Sequence, residues 1–260
     1  MPHVTSADGT RIGYDRLSID GPTLVLVSGG LDDGSENIPL GEHLAETFAV
    51  VAYRRRGRGD SGDTDPYAVE REVEDLAAVI DATGGPAHVF GASSGGALVL
   101  EAAAAGVPIR RIGVHEVPYL LGDEMLAAWR DYTLALAEAL DADDRDEALR
   151  LFMRLAGSSD GDIAAAEAAP VWPALRGLAP TLRYDAACLG DGPPPLPGSQ
   201  RCISRCSSPP ARVSIRILRG CRSTSSEPPP TSPPHTCPTR GGRRSKSQGM
   251  FPPRIAWDRC

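Results

Sequence analysis

The sequence predicts an α/β fold: a mostly parallel sheet with helices on both faces, followed by a helical cap and an irregular C-terminal tail. Three observations support this class. Short apolar runs alternate with helical periodicity as far as residue 120, which is typical of parallel strands joined by right-handed crossovers. Residues 123–189 are rich in Ala and Leu and helical in pattern throughout. The regular spacing of apolar residues disappears after Pro193.

The predicted strands begin with a polar–apolar alternation over residues 11–16, which we interpret as an edge strand. Residues 23–27 and 49–53 are apolar runs, which indicates burial on both faces of a parallel sheet. Residues 87–90 and 112–115 are the third and fourth predicted strands of that sheet.

The predicted helices fill the intervals between the strands. Residues 38–48 form a short candidate, and residues 95–105 form a helix of small residues. Residues 69–82 place their apolar positions on one helical face. That face consists of Val73, Leu76, Ala77 and Ile80.

Three segments follow from these patterns: a core over residues 1–120, a helical cap over residues 121–192 and a tail over residues 193–260. The cap interrupts the strand–helix alternation after the last predicted strand. In open α/β sheets, ligands bind at the carboxyl edge of the strands. We therefore expect the cap to cover that edge and to set the choice of substrate.

The tail differs sharply from the rest of the chain in charge. Residues 1–192 contain 15 Arg, no Lys and 32 acidic residues, a formal net charge of −17, whereas residues 193–260 contain 11 Arg, one Lys and two acidic residues, a net charge of +10. The tail also holds 14 of the 24 Pro and five of the six Cys. Such a composition buries too little apolar surface to offset the entropy of ordering, so we expect a poorly ordered tail.

Neither a membrane, a nucleic acid nor a cofactor is predicted as a partner. No apolar run reaches the roughly 18 residues of a membrane helix, and residues 1–5 do not resemble a signal peptide. The acidic first part disfavours nucleic acid, and the Arg residues of the tail are scattered among Pro and Ser. Cys202 and Cys206 lack a second pair at metal-ligand spacing. We expect a cytoplasmic protein with a small-molecule substrate.

The strongest chemical signal is the segment Gly91-Ala92-Ser93-Ser94-Gly95, which lies between a buried strand and a helix. It matches G-x-S-x-G in the strand–turn–helix context that exposes a serine hydroxyl as a nucleophile. The N-terminus of the following helix directs N–H groups toward a developing oxyanion. Ser93 is therefore the candidate nucleophile, the alternative being an ordinary strand–helix turn.

Together with three further segments, this motif resembles the α/β-hydrolase family, in particular its cap-bearing, esterase-like and haloperoxidase-like members. Residues 27–31 stand where the family has a His-Gly motif, with Ser28 in place of His. Residues 54–61 are similar to the family's Asp-x-Arg-Gly-x-Gly-x-Ser loop, with Arg54 in place of Asp, and residues 114–118 resemble a Glu-Pro strand end. The resemblance covers roughly residues 5–192 and implies oxyanion donors at the Gly30 and Ser94 amides.

The resemblance also implies an acid and a histidine base after the nucleophile, because a serine hydroxyl is weak without a base. The family's Gly-His loop is absent from residues 193–260, where the sole histidine is His235. His235 is thus the candidate base, and Glu116, at a strand end, is the candidate acid. His115 beside it is interpreted as a strand-end residue.

The tail, residues 193–260, does not resemble the α/β-hydrolase family, which suggests a reading-frame shift near residues 197–201 in a GC-rich gene. Starting each codon two bases later permits Gly-His-Val within residues 248–253, which resembles the family's catalytic histidine loop. The same offset permits a buried strand and a glycine turn over residues 205–211, where the family carries its acid. An unbroken frame with this tail in an independently isolated gene would contradict the hypothesis.

Two functions remain open from the sequence. The first is hydrolysis of a small ester or related acyl substrate through an acyl-Ser93 intermediate, with activity lost if the acid and base are missing; a cofactor-free haloperoxidase-like side activity is compatible with the same residues. The second is a non-catalytic, hydrolase-like protein or truncated product that only binds small molecules.

Overall fold

The computed structural model describes residues 2–120 and 122–192. Within this part, six strands form one mixed sheet in the order β1-β2-β4-β3-β5-β6. The strands are β1 (His3–Thr5), β2 (Arg11–Arg16), β3 (Thr23–Val27), β4 (Ala49–Tyr53), β5 (Ala87–Ala92) and β6 (Ile109–His115).

The central pairings are parallel, as predicted: β3 lies between β4 and β5, and β5 pairs with β6. The two N-terminal strands are antiparallel to their neighbours. The prediction that residues 11–16 form an edge strand is wrong, because β1 pairs along the outer side of β2. With only three residues, β1 is too short to show a periodic pattern.

Helices cover both faces of the sheet, which confirms the predicted fold class. On one face, α1 (Ile38–Leu44) packs on Leu24, Leu26 and Val50. On the other face, Val25, Val27 and Val89 pack with helices α2 and α3. These two helices span Val69–Ala82 and Ser94–Ala104.

Residues 123–189 form a second, entirely helical region, here called the helical block. The Asp144 carboxylate caps α5 by accepting from the Glu147 N–H, and a Ser159–Asp162 capping box begins α6. The elements are α4 (Asp123–Asp141), α5 (Arg145–Leu155), α6 (Asp160–Glu167), α7 (Trp172–Leu178), a 3₁₀ turn (Ala179–Thr181) and α8 (Leu182–Leu189).

The last helix of the block, α8, lies against α3 of the core. The helical block therefore packs beside the helix that begins directly after Ser93. None of the helices in residues 2–120 and 122–192 has both the length and the apolar character needed to cross a membrane. The predicted tail, residues 193–260, falls outside the described residues.

Candidate functional site

The turn between β5 and α3 holds Ser93 in a backbone conformation that few residues other than glycine adopt. Its φ is 52° and its ψ is −127°, and such a conformation costs about 1–3 kcal/mol and persists only when the surroundings enforce it. The Ser93 N–H donates to the His115 carbonyl at 2.9 Å, and the Ser93 carbonyl accepts from the Gly96 N–H at 3.0 Å. Strand β6 and the first turn of α3 thus fix the turn.

Two glycines allow the chain to pass this closely around Ser93. A β carbon on Gly91 would lie 2.5 Å from the carbonyl oxygen of Gly95, and one on Gly95 would lie 2.7 Å from the carbonyl oxygen of Val27. Neither separation is possible for a real side chain against backbone. The first glycine of G-x-S-x-G is therefore required by close packing against the start of α3, and the second by close packing against the end of β3.

The turn that follows β3 lies directly beside Ser93. A β carbon on Gly29 would be 3.0 Å from Ser93 Cβ and 3.7 Å from Ser93 Oγ. Leu31, two residues further on, also has a positive φ of 56°. The 28–31 turn and the Ser93 turn therefore meet at one edge of the sheet, and the Ser93 side chain between them is only half-buried.

Ser93, Gly30 and Ser94 line a cavity of about 210 Å³ between the core and the helical block. Its other walls are mostly apolar. They are formed by Pro118, Leu120, Trp129, Tyr132, Phe152, Leu155, Ala156, Asp185, Ala186 and Leu189. Trp129 is fixed in this wall by a 2.9 Å hydrogen bond from its indole Nε1 to the Gly190 carbonyl.

A wider, more open cleft of about 290 Å³ lies elsewhere, around Asp15, Asp33, Arg54 and Asp60. Ser93 does not line it. Among residues 2–120 and 122–192, no group of three or more His, Cys, Asp or Glu side chains is arranged to hold a metal ion. Of these two cavities, the one of about 210 Å³ is the one that Ser93 lines.

Behind this cavity, a buried cluster of charges joins the core to the helical block. Asp185 Oδ1 accepts hydrogen bonds from Arg55 Nη1 at 2.7 Å, Arg58 Nη2 at 2.8 Å and Ser94 Oγ at 2.7 Å. Arg55 is also paired with Glu72, its Nε lying 2.6 Å from Glu72 Oε2. All four charged side chains are buried, so the two carboxylates balance the two guanidinium groups away from water.

The arginines keep both carboxylates of the cluster ionised. Burial alone would raise the pKa of Asp185, but Arg58, Arg55 and the Ser94 hydroxyl hold it below its usual value. The pKa of Glu72 is lowered in the same way: burial opposes ionisation, and Arg55 outweighs it. Burial also raises the pKa of the adjacent Cys188 thiol to about 12, so this cysteine stays protonated at neutral pH.

The sequence predicted no functional role for Asp185 or for the arginines of residues 54–61. One signal was present: Asp185 lies on α8 among mostly apolar residues, in the sequence Leu182-Arg183-Tyr184-Asp185-Ala186. The partner loop lies 127 to 130 residues earlier in the chain. No local pattern links the two segments.

The predicted acid, Glu116, does not line the cavity beside Ser93. Glu116 follows β6 with a φ of 48°. Its side chain is 64% exposed and lies 3.7 Å from His115 Nε2, and neither residue lines the cavity. His235 falls outside the described residues. The assignments of Glu116 as acid and His235 as base stay predictions.

The sequence matches the family model described as "Alpha/beta hydrolase family" over residues 24–235. This span covers most of the chain. It includes residues 193–235, which lie beyond the segment where the motifs resemble the family. The reading-frame hypothesis for the tail stays a prediction.

Individual relatives agree with the family match. An alpha/beta hydrolase from Sphaerobacter thermophilus DSM 20745 has a solved structure that is 40% identical in sequence, covers 85% of this chain and 94% of its own, and has a TM-score of 0.68. A hydrolase from Pseudomonas aeruginosa PA01 shares the fold at 22% identity, with 74% and 73% coverage and a TM-score of 0.52.

Among curated proteins, the uncharacterized hydrolase YraK of Bacillus subtilis (strain 168) is 31% identical over 155 residues, which are 56% of this chain and 55% of that protein. The chain thus spans only about half the length of this curated relative. The fold, the strained serine turn and the match over residues 24–235 lead to one assignment: this chain belongs to the alpha/beta hydrolase family.

Proposed function

We propose that the protein is a serine hydrolase that cleaves a small ester or related acyl substrate through an acyl-Ser93 intermediate. The observation that carries the proposal is the strained backbone of Ser93, with φ at 52°, directly beside the 28–31 turn and at the wall of a cavity. A conformation of this cost is retained when it positions a reactive group.

In the proposed reaction, Ser93 Oγ attacks the carbonyl carbon of the substrate and its proton passes to a general base. The negative charge that develops on the carbonyl oxygen is stabilised by the N–H groups of Gly30 and Ser94. The intermediate then collapses, the leaving group departs with the proton, and an acyl ester remains on Ser93. Attack by water on that ester releases the acid and restores the serine.

The cavity supports a small, apolar acyl group as the substrate. Its volume of about 210 Å³ is below the roughly 300–1,000 Å³ of sites that hold drug-sized ligands. Trp129, Tyr132 and Phe152 provide apolar surface opposite Ser93. In this proposal, the helical block acts as the cap that selects the acyl chain.

The test is covalent labelling with an alkyl fluorophosphonate, followed by mass spectrometry of the modified peptide. We expect the wild-type protein to be labelled on Ser93 and Ser93→Ala to remain unlabelled. Ser158→Ala is the matched control, because Ser158 is also half-buried but lies between α5 and α6; it should be labelled like the wild type. Absence of labelling in folded wild-type protein contradicts the proposal.

The same probe tests the proposed base and acid. His235→Ala should lower the labelling rate by about 10²-fold or more, because the nucleophile would lose its proton acceptor. Glu116→Ala should lower it less, since an acid only orients the base. Wild-type rates in both variants would show that other groups serve these roles.

A second function, binding without catalysis, is favoured by one observation. None of the described side chains that line the cavity is a histidine, and a serine without a base reacts slowly. This function predicts no fluorophosphonate labelling, together with saturable binding of a small apolar ester that Leu189→Trp abolishes by filling the cavity.

A further inference from the structure

We propose that Asp185 is a positioning residue that holds both proposed oxyanion-binding amides in place from the helical block. The inference rests on the proposed function and deepens it, because it adds a residue from α8 to a site otherwise built by the core. It follows from three sets of contacts around the Asp185 carboxylate.

The first contact reaches the Ser94 side of the site. Ser94 Oγ donates to Asp185 Oδ1 at 2.7 Å, and Arg55 Nη1 donates to Ser94 Oγ at 3.2 Å. The Ser94 side chain is therefore buried and held against Asp185 and Arg55. Its backbone N–H, at the start of α3, has no partner within the helix. Holding the side chain fixes where that N–H points.

The second contact reaches the Gly30 side. Arg58 Nη2 donates to Asp185 Oδ1 at 2.8 Å, and Arg58 Nη1 donates to the Gly29 carbonyl. The Gly29 carbonyl and the Gly30 N–H belong to the same planar peptide unit, in which they point in opposite directions. Fixing the carbonyl on Arg58 therefore fixes the direction of the Gly30 N–H, and the hydrogen bond also polarises the peptide.

The third set of contacts concerns the carboxylate itself. A β carbon on Gly30 would lie 3.1 Å from Asp185 Oδ2, so the carboxylate is packed directly against the 28–31 turn. Arg55 Nη1 bonds Asp185 Oδ1 and also approaches the Ser28 carbonyl at 3.4 Å. One buried acid thus connects α8 with the chain on both sides of the Ser93 hydroxyl.

A neighbouring buried ion pair is not connected to the 28–31 turn or to the cavity by the described contacts. Arg56 pairs with Asp75 on α2 at 2.8 Å, and both side chains are buried. Neither residue lines the cavity or bonds to the 28–31 turn in the described contacts. Asp75→Asn is therefore a matched control for the loss of a buried carboxylate next to an arginine.

The experiment measures the rate of alkyl fluorophosphonate inactivation as a function of probe concentration in the full chain. Asp185→Asn should lower the maximal inactivation rate by about 10²-fold, as expected when oxyanion donors are misplaced. Ser94→Ala, which keeps the amide and removes only the hydroxyl link, should lower it about tenfold. The half-saturating probe concentration should change less than about twofold in both, because the apolar walls remain.

Asp75→Asn should lower the melting temperature while keeping the maximal inactivation rate within about twofold of wild type. Wild-type rates in folded Asp185→Asn and Ser94→Ala would overturn the inference and leave the proposed function intact, as would an equal slowing in Asp75→Asn. If Asp185→Asn does not fold, Ser94→Ala decides by itself. Folded wild-type protein that is never labelled overturns the proposed function and this inference together.

Discussion

The core, residues 2–120, and the helical block, residues 123–189, hold their charged groups in different ways. The core buries four arginines of one loop, and two of them pair with the buried carboxylates of Glu72 and Asp75. In the described part of the helical block, Asp185 is the one buried charged residue. The other ion pairs of the described helical block lie at the surface, with side chains about one-third exposed in Arg150–Glu167 and up to 95% exposed in Arg154–Asp160.

This difference shows what each region must do. Buried ion pairs lose solvation on folding and are kept only where geometry is enforced on both partners. Exposed ion pairs contribute little to stability, and they do not constrain how the helices pack. The core therefore fixes backbone positions around Ser93, whereas the helical block is stabilised mainly by its apolar faces. The predictions below test this contrast.

The largest expected effect is the loss of a buried arginine in the core. Arg56→Ala removes the partner of Asp75 and Asp8. Leaving one buried member of an ion pair costs about 3–5 kcal/mol of unfolding free energy. Arg154→Ala in the helical block, where the side chain is half-exposed, should cost less than about 1 kcal/mol. Urea denaturation measures both; equal losses would abolish the contrast.

A smaller effect is expected from adding one methyl group to a glycine in each region. Gly95→Ala should destabilise the protein by about 1–3 kcal/mol, because the new methyl collides with backbone of β3. Gly177→Ala should stabilise it by about 0.5 kcal/mol, because nothing lies within 4 Å of that position in α7. Thermal unfolding followed by circular dichroism compares the two. A stable Gly95→Ala would mean that the turn is not closely packed.

The smallest expected effect is in the response to acid. Burial alone would raise the pKa of Asp8. Its hydrogen bonds from Thr10 and its ion pair with Arg56 outweigh this effect and lower the pKa from 3.8 to about 2. Because the folded pKa lies below the unfolded one, this group stabilises the protein above about pH 4. That contribution is lost as the pH falls from about 4 toward 2.

Melting temperatures recorded between pH 7 and pH 2.5 test this expectation. Asp8→Asn should melt lower than wild type at pH 7, and the difference should narrow as the pH falls from about 4 to 2.5. The matched variant in the helical block is Asp141→Asn, which removes an exposed carboxylate paired with Arg183. Its melting temperature should stay close to that of wild type throughout. A constant difference between Asp8→Asn and wild type would contradict the assignment.

Much of the core could be predicted because local pattern and burial agree there. Strands β3 and β4 and helix α2 occupy the residues that their apolar runs and helical face indicate. The turn at Ser93 could be predicted as well, since G-x-S-x-G states which positions tolerate close backbone contact. Strand β1 could not, because three residues carry no periodic signal.

The charged part of the site could not be predicted, for a different reason. The contacts between Arg55, Arg58 and Asp185 join segments more than 120 residues apart. Charged residues in a loop and in an amphipathic helix are ordinarily solvated, so their types alone do not reveal burial. What decides it is how α8 packs on α3, and that is a property of the tertiary structure.

The positive φ of Ser93 has a consequence for protein engineering. Glycine would adopt that backbone angle without penalty, so selection for heat resistance alone should drift toward Ser93→Gly and raise the melting temperature. Variants selected in this way would lose the Ser93 hydroxyl while their melting temperature rises. Screens for more thermostable variants of this protein therefore need a measurement of Ser93 reactivity beside the melting temperature.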